Sequence, residues 1–308
     1  GKVDRKALPE PPEDLLQQET DFVAGRNAIE KTLIQIWQEV LRQEPIGIHD
    51  NFFALGGDSI LSIQVVSRAK QQGLSLTPKQ LFAHQTIAEL ANVAEPIATI
   101  QAEQDLVQGE APLTPIQHWF QEQTIPNRNH WNQAMLLQVG ETLQAEALEE
   151  AVRAVMHQHD ALRIRVESDH SIHAPWEEKM PFDWVDLQQK EVEEQSRLIE
   201  QIAQEAQRSL NLQEGPLMRV VYFHLGEEQP DRLLWVIHHW VVDGVSWRIL
   251  LEDLETAYRQ AMQQKTIQLP AKTTSWKEWA QALQTYAQSD TITKQIPFWS
   301  DVLQHSSP

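Results

Sequence analysis

The sequence predicts a multidomain protein in which a small four-helix bundle is followed by a larger α/β domain. Its 308 residues are too many for one small core and enough for two or more domains. Within residues 27–93, four helix patterns follow one another with short connections, as they do in a compact bundle. From Pro112 onward, strand patterns alternate with helix patterns, which indicates helices layered on a sheet.

Composition and charge restrict the class of protein. Hydrophobic residues make up 41% and charged residues 22%, the balance of a soluble globular protein. The sequence contains no run of about 18 apolar residues, which a membrane span would require. Its first residues lack the apolar segment of a signal peptide. The chain has no cysteine, which excludes disulfides and suits the cytoplasm. Its net charge of −19, without a basic patch, argues against a nucleic-acid partner.

The first helix of the bundle is predicted over residues 27–41. Asn27 with Glu30 is a variant of the capping box. Pro45 and Gly47 lie beyond the helix and end it. One apolar stripe is formed by Ile29, Leu33, Ile36, Trp37, Val40 and Leu41.

The second helix follows a glycine-rich turn and is expected to run to about residue 71. Gly56 and Gly57 free the backbone from its usual limits. Asp58 and Ser59 come next, and both are good N-cap residues. Apolar residues then recur near the helical period, at Ile60, Ile63, Val66 and Ala69. We expect Ser59 at the open end of this helix with its hydroxyl facing solvent. Spacing alone favours a plain N-cap serine, because serine is common at that position.

Two capped segments predict the remaining helices of the bundle. Thr77 and Pro78 begin a short helix through Phe82, since proline is favoured at the first helical position. Thr86 with Glu89 forms a capping box. The helix that it opens points Ile87, Leu90 and Val93 inward.

Composition also predicts the domain boundaries. Residues 1–25 form a tail and linker that several prolines keep from being helical. Residues 26–95 form the bundle, and the polar residues 96–111 form a second linker. Residues 112–308 form the α/β domain. Its predicted strands are residues 131–139, 162–167, 217–225 and 232–238, and its predicted helices are residues 114–123, 145–159, 192–210, 245–262 and 275–304.

Two adjacent histidines, His238 and His239, end the most apolar predicted strand. Neighbouring residues of a strand point to opposite faces, so this pair is a poor chelator of one metal ion. We expect no metal site here. Taken alone, the pair is better explained as two packing residues than as a functional site.

The residues around Ser59 resemble a known attachment site. The segment Asp50–Ile60 reads D-N-F-F-A-L-G-G-D-S-I, which is similar to the attachment site of a peptidyl carrier domain from a nonribosomal peptide synthetase. The resemblance implies that a phosphopantetheinyl transferase adds a 4′-phosphopantetheine arm to Ser59. The thiol of that arm would carry an aminoacyl or peptidyl thioester.

The α/β domain resembles a second family. The segment H-H-W-V-V-D-G at residues 238–244 is similar to the signature of the condensation-domain superfamily. P-I-Q-H-W-F at residues 115–120 and H-D-A-L-R at residues 159–163 resemble the motifs of its epimerization branch. The resemblance implies a chloramphenicol-acetyltransferase-like fold, with residues 112–308 as the first of two lobes. The second lobe, which supplies a glutamate acid/base in that family, is not recognisable in this sequence.

The same resemblance implies roles for the motif residues. His239 would be the acid/base that moves the α-proton of the thioester, while His238 would point away and pack. Asp243 would organise the site, paired with an arginine such as Arg163. The family uses no metal and no cofactor beyond the pantetheine arm.

The resemblance also implies neighbours within a synthetase. The first residues, G-K-V-D-R-K-A-L, resemble the end of an adenylation domain, with Lys2 at the position of a lysine that contacts the acyl-adenylate. An upstream adenylation domain and a downstream condensation domain are therefore expected partners.

Two alternatives to an epimerization domain remain open. The first is a condensation domain, in which the same histidine assists the attack of an amine on a thioester. Val245-Ser246-Trp247 stands where condensation domains more often have Gly-Trp-Ser, which favours the epimerization branch. The second is a non-catalytic module that only docks the carrier domain.

Overall fold

The computed structural model describes residues 22–96, 102–176, 180–227 and 229–305. Its contacts divide the chain into two units, Gly1–Gln101 and Ala102–Pro308, which are described separately as the first and second units. The predicted adenylation-like tail, including Lys2, falls mostly in residues 1–21, outside the described residues.

The first unit is a four-helix bundle, as predicted. Its helices are α1 (Ala28–Leu41), α2 (Ser59–Gln71), α3 (Pro78–Ala83) and α4 (Ile87–Val93). Two short strands, β1 (Leu74–Ser75) and β2 (Glu95–Pro96), pair antiparallel. Its fully buried core side chains include Leu33, Trp37, Phe52, Val65, Leu81, Ile87 and Leu90.

Side-chain caps begin the helices of this bundle where the sequence predicts them. Asn27 accepts a hydrogen bond from the Glu30 N–H at 2.8 Å. The Glu30 carboxylate accepts from the backbone N–H of Arg26 at 2.7 Å, one residue before the predicted Asn27. Thr77 forms a complete capping box with Gln80 at the start of α3.

The buried face of α2 does not follow its apolar pattern. Ile63, one of the apolar residues that recur near the helical period, is 41% exposed. The residues that α2 buries are Ser62, Gln64, Val65 and Ala69. The Ser62 hydroxyl can be buried because it donates to the Ser59 carbonyl at 2.7 Å. The face that α2 turns to the bundle is therefore partly polar, while Ile63 lies outside.

The second unit contains two sheets. The larger one has the order β4-β9-β8-β7, from β4 (Asn132–Gln138), β7 (Phe182–Asp186), β8 (Met218–His224) and β9 (Arg232–His238). The β7–β8 pair is parallel, and the other pairs are antiparallel. The smaller sheet is antiparallel, with the order β3-β6-β5, from β3 (Gly109–Pro112), β5 (Ile164–Val166) and β6 (His170–His173).

Helices cover both faces of the larger sheet. On one face, α6 (Ala145–Gln158) and α8 (Gly244–Met262) pack with the alternate β9 residues Leu233, Trp235 and Ile237. On the other, α7 (Val192–Arg208) packs with Leu234 and Val236. The remaining helices are α5 (Pro115–Glu122), α9 (Trp276–Ala287), α10 (Asp290–Thr293) and α11 (Ile296–His305). This layered arrangement confirms the predicted α/β class.

Several predicted boundaries change in the second unit. Three of the four residues of β3 lie in the predicted linker of residues 96–111, where they pair with β6. Val107, in the same predicted linker, is buried. Residues 162–163, predicted as the start of a strand, belong instead to a 3₁₀ helix over Asp160–Arg163. Strands β6 and β7 were not predicted. The predicted helix over residues 275–304 is three helices; Pro297 lies in the first turn of α11, where a missing N–H costs nothing.

Among the described residues, no helix combines the length and the apolar character that crossing a membrane requires.

Candidate functional site

Ser59 is the first residue of α2, and Asp58 caps that helix. One carboxylate oxygen of Asp58 accepts hydrogen bonds from the N–H groups of Ile60 and Leu61, at 2.8 and 2.7 Å. Ser59 is therefore not the N-cap residue, which was the plain interpretation of its position. Its side chain is exposed, and the capping role is already filled, so the hydroxyl is available for modification.

The two positions before Asp58 favour glycine for different structural reasons. Gly56 has φ of +89°, a conformation that other residues adopt at a cost. Gly57 lies so close to Phe52 that an added Cβ would be 2.4 Å from two atoms of the phenyl ring. Phe52 is fully buried against Trp37, with ring centroids 5.0 Å apart. The turn that presents Ser59 is thus anchored in the core of the bundle.

The surroundings of Ser59 fit a phosphopantetheine arm. The arm joins serine through a phosphodiester, which is an anion. The first turn of a helix favours an anion, because its N–H groups and the helix dipole carry partial positive charge. Asp58 and Ser59 lie at that end of α2, while Arg68 and Lys70 lie in its last turn. An exposed hydroxyl on the first turn of a 13-residue helix is chemically suited to this attachment.

His238 ends β9 and is fully buried. Its Nδ1 accepts from the Trp240 N–H at 3.0 Å, and its Nε2 donates to the Arg128 carbonyl at 2.8 Å. Burial lowers its pKa to about 4, although the Arg128 carbonyl acts in the opposite direction. The ring is therefore held neutral in one tautomer, as expected of a packing residue.

His239 follows directly and is exposed. Its backbone N–H donates to the Trp131 carbonyl at 2.8 Å, which extends the β4–β9 ladder by one residue. Its Nδ1 lies 2.8 Å from the Val242 carbonyl. Its Nε2 lies 3.4 Å from the amide nitrogen of Gln133. The two histidines thus have opposite environments, as alternation along a strand requires.

Asp243 caps α8 and does not pair with Arg163 as predicted. One of its carboxylate oxygens accepts from the Ser246 N–H at 2.8 Å, the Ser246 hydroxyl at 2.7 Å and the Val245 N–H at 3.1 Å. Partial desolvation acts to raise its pKa, but these hydrogen bonds outweigh it and hold the pKa below its usual value. Asp243 therefore fixes the turn between His239 and α8.

Arg163 belongs to a separate buried charge cluster. Its guanidinium donates to Asp160 at 2.7 Å and to the Val107 carbonyl at 3.0 Å. Lys272 contacts the other oxygen of Asp160 at 3.1 Å. All three charged side chains are less than 10% exposed. The H-D-A-L-R motif therefore fixes the segment around residue 107 within the second unit, and Arg163 is engaged there and not with Asp243.

Gln133 and Trp247 complete the surroundings of His239. The Trp247 indole N–H donates to the amide oxygen of Gln133 at 2.8 Å. Gln133 was not predicted as a site residue from the sequence. A signal for it exists in the strand alternation, because Gln133 pairs with Ile237 and so shares a face with His239. Finding it required the register between β4 and β9.

No group of three or more His, Cys, Asp or Glu side chains in the described parts of the chain is arranged to hold a metal ion.

Two family models match this chain. One, described as a condensation domain, matches residues 107–308. The other, described as a phosphopantetheine attachment site, matches residues 31–94. The second match indicates that the first unit carries covalently attached 4′-phosphopantetheine.

Curated relatives are similar along almost the whole chain. One of the linear gramicidin synthase subunits of Brevibacillus parabrevis is 54% identical over 303 residues, which cover 97% of this chain and 6% of the relative. Gramicidin S synthase 1 of Brevibacillus brevis is 42% identical over 97% of this chain and 27% of its own length. This chain therefore corresponds to a small part of these relatives.

Solved structures resemble the second unit. The epimerization domain from the third module of tyrocidine synthetase B has 37% identity and a TM-score of 0.61, covering 67% of this chain and 48% of that structure. The first condensation domain of the calcium-dependent antibiotic synthetase has 20% identity and a TM-score of 0.53, covering 66% of this chain and 49% of its own, and it shows the fold alone. The chain belongs to the condensation-domain family of nonribosomal peptide synthetases, with a phosphopantetheine-bearing carrier domain ahead of its condensation-type lobe.

Proposed function

We propose that this chain carries an aminoacyl or peptidyl thioester at Ser59 and presents it to an epimerization domain, of which the second unit is a part. That domain would invert the α-carbon of the carried residue from L to D. One observation carries the choice of reaction: the similar epimerization domain is 37% identical to this chain. The similar condensation domains are only 16–20% identical.

The attachment at Ser59 rests on its surroundings. Its hydroxyl is exposed on the first turn of α2, with Asp58 capping the helix. When bound, the arm supplies a thiol that holds the acyl group as a thioester. The protein residues hold the attachment point still: Phe52 and Gly57 fix the turn against the core of the bundle.

The proton chemistry is assigned to His239. A thioester acidifies the neighbouring α-proton, because sulfur delocalises poorly into the carbonyl. Imidazole is a suitable base near neutral pH. His239 is exposed, and with its Nδ1 directed at the Val242 carbonyl its Nε2 is the atom that takes the proton. His238 is buried and engaged at both nitrogens, so it stays outside this step. Return of a proton to the opposite face needs a second acid, which the family resemblance places in the second lobe.

The partners follow from the same proposal. A phosphopantetheinyl transferase modifies the first unit, and other synthetase domains lie beside this chain. We assign an adenylation domain before it, a condensation domain after it, and a location in the cytoplasm.

A mass measurement tests the attachment. The 308-residue chain is incubated with coenzyme A and a promiscuous phosphopantetheinyl transferase, and its intact mass is recorded. We expect the mass of one arm to be gained, and lost again in Ser59→Ala. Ser67→Ala is the matched control, since Ser67 lies in the same helix, and it should keep the gain. An arm on Ser59→Ala protein would place the attachment elsewhere.

A deuterium experiment tests the reaction. The complete synthetase polypeptide that contains this sequence is loaded with an L-aminoacyl arm in deuterium oxide, and the released amino acid is examined by mass spectrometry and chiral chromatography. We expect deuterium at the α-carbon together with the D isomer, and neither in His239→Ala. If an added acceptor amine instead gives a peptide bond in a His239-dependent way, without deuterium, the second unit is a condensation domain. Equal exchange in His239→Ala would refute the assignment of the base.

A further inference from the structure

The amide of Gln133 lies between the indole of Trp247 and the imidazole of His239. Its oxygen is 2.8 Å from the indole nitrogen of Trp247. Its nitrogen is 3.4 Å from Nε2 of His239. One side chain from β4 thus connects the end of β9 with the first turn of α8.

Trp247 determines which way this amide points. An indole N–H can only donate a hydrogen bond, so the group that faces it must be the amide oxygen of Gln133. The amide N–H₂ then necessarily faces His239. Trp247 is 3% exposed and packs perpendicular to Trp235, with ring centroids 5.6 Å apart. The donor that orients the amide is therefore held rigidly in the core.

The two neighbours of His239 select one tautomer of its ring. Nδ1 lies 2.8 Å from the Val242 carbonyl, which can only accept, so Nδ1 carries the proton. Nε2 faces the amide N–H₂ of Gln133, which can only donate. In neutral His239, Nε2 therefore carries no proton, and its lone pair faces this amide N–H₂ group. An imidazolium would instead place its Nε2–H against the N–H₂ group, which offers it no acceptor.

Two titratable neighbours of His239 do not supply this selection. They are Asp243 and His238, whose pKa values respond to the charge of His239. The oxygen of Asp243 that makes its hydrogen bonds is directed at Ser246 and Val245, and His238 points to the opposite face of the sheet. On β4, the neighbour Asn132 donates to the Gln207 carbonyl at 3.3 Å, also on the far side.

We propose that Gln133, oriented by Trp247, is a positioning residue that holds His239 in the Nδ1-protonated tautomer, so that Nε2 is unprotonated and serves as the base. This inference rests on the proposed function, since it assumes that His239 moves the α-proton. Gln133 and Trp247 both lie outside the H-H-x-x-x-D-G motif of residues 238–244. The reaction then depends on a contact between β4 and α8 as well as on the motif.

Nuclear magnetic resonance of the ¹⁵N-labelled 308-residue chain tests the contact between Gln133 and His239 independently of catalytic activity. Imidazole nitrogen shifts report the tautomer and the pKa of His239. In Gln133→Glu, a carboxylate replaces the amide donor and should raise the pKa of His239 by about one unit or more. Gln138→Glu makes the same change on the same strand, at its exposed far end, and should leave the pKa unchanged. Trp247→Phe should raise the fraction of the Nε2-protonated tautomer.

The loaded synthetase gives the second readout. At pH 7, Gln133→Glu should slow α-proton exchange several-fold, because the carboxylate favours the imidazolium form of His239, which cannot act as the base, and the rate should recover as the pH rises. Equal titration of His239 in Gln133→Glu and Gln138→Glu would overturn the inference. A shifted pKa with an unchanged rate profile would overturn the positioning role as well. In both cases loss of exchange in His239→Ala shows that the proposed function itself still stands.

Discussion

Replacing Gly57 with alanine should destabilise the first unit through one identifiable clash. An alanine Cβ would lie 2.4 Å from Cδ1 and Cε1 of Phe52 and 2.5 Å from its carbonyl oxygen. The Phe52 ring cannot turn away, because it is fully buried between Trp37 and Phe53. The carbonyl cannot move away without losing its hydrogen bond from the Gly57 N–H, which measures 2.9 Å.

The expected cost follows from these contacts. Overpacking a dense core typically costs about 1–3 kcal/mol. Weakening the Gly57–Phe52 hydrogen bond adds about 1 kcal/mol. Together they predict a loss of about 2–4 kcal/mol in the stability of the first unit, which corresponds to roughly 30- to 700-fold in its opening equilibrium. Gly56→Ala meets no atom within 4 Å and suffers only the strain of its φ of +89°, about 1 kcal/mol.

Hydrogen exchange of the whole chain measures this loss. Mass spectrometry of peptides from α1 and α2 reports the opening of the first unit, while peptides from β8 and β9 serve as an internal reference. Gly140→Ala, in the second unit, has no atom within 4 Å of the added Cβ and is the neutral control. If Gly57→Ala accelerates exchange in α1 and α2 no more than Gly56→Ala does, the argument from the Phe52 contact is wrong.

Three further predictions concern stability. Burial lowers the pKa of His173 to about 4, against about 6.5 in an unfolded chain. The unfolded state therefore takes up a proton at a higher pH than the folded state. The free energy of unfolding of the second unit should fall by about 2 kcal/mol through this group as the pH falls from 7 to 5. Urea titrations of His173→Phe should show a smaller loss of stability over this pH range. Asp160→Asn leaves Arg163 and Lys272 buried without their carboxylate and should cost the second unit about 3–5 kcal/mol, seen as a lower urea midpoint. Asp58→Ala removes the cap of α2 and should cost about 1 kcal/mol, seen as faster exchange of α2 amides.

Each of these has an outcome that contradicts it. Tryptophan fluorescence follows the second unit in the urea titrations, because ten of the eleven tryptophans lie after residue 101. An unchanged pH dependence in His173→Phe would mean that the ring is not held neutral. An unchanged midpoint in Asp160→Asn would mean that the cations do not depend on the carboxylate. If Asp58→Ala leaves the hydrogen-exchange rates of α2 unchanged, other groups satisfy the first N–H groups of that helix.

Local sequence patterns predicted most of the elements near the two sites. Caps and breakers act over three or four residues, so Asn27, Thr77 and Thr86 mark their helices without help from the rest of the chain. The long apolar strands β8 and β9 are equally visible. The short strands β3, β6 and β7 are not, because four or five residues give no clear periodicity and owe their form to pairing with distant partners.

The partners of charged side chains were the hardest to predict. Asp243 could have faced any arginine that the fold brought close, and the prediction of Arg163 was wrong. The sequence contains Asp160 only three positions before Arg163, and the 3₁₀ turn between them lets the two charges meet at 2.7 Å. Lys272 reaches the same carboxylate from 112 residues away, which only the folded chain determines.

The sequence by itself determined the class of both units and the local setting of Ser59, because helix periodicity, glycine turns and caps are short-range properties. It also determined that His238 and His239 face opposite sides, since adjacent strand residues alternate. Only the tertiary structure decided that Gln133 and Trp247 meet at His239, that Ile63 lies outside the bundle, and that Asp160 neutralises Arg163. These outcomes depend on strand register and helix packing, where the free energy comes from contacts between residues far apart in the chain.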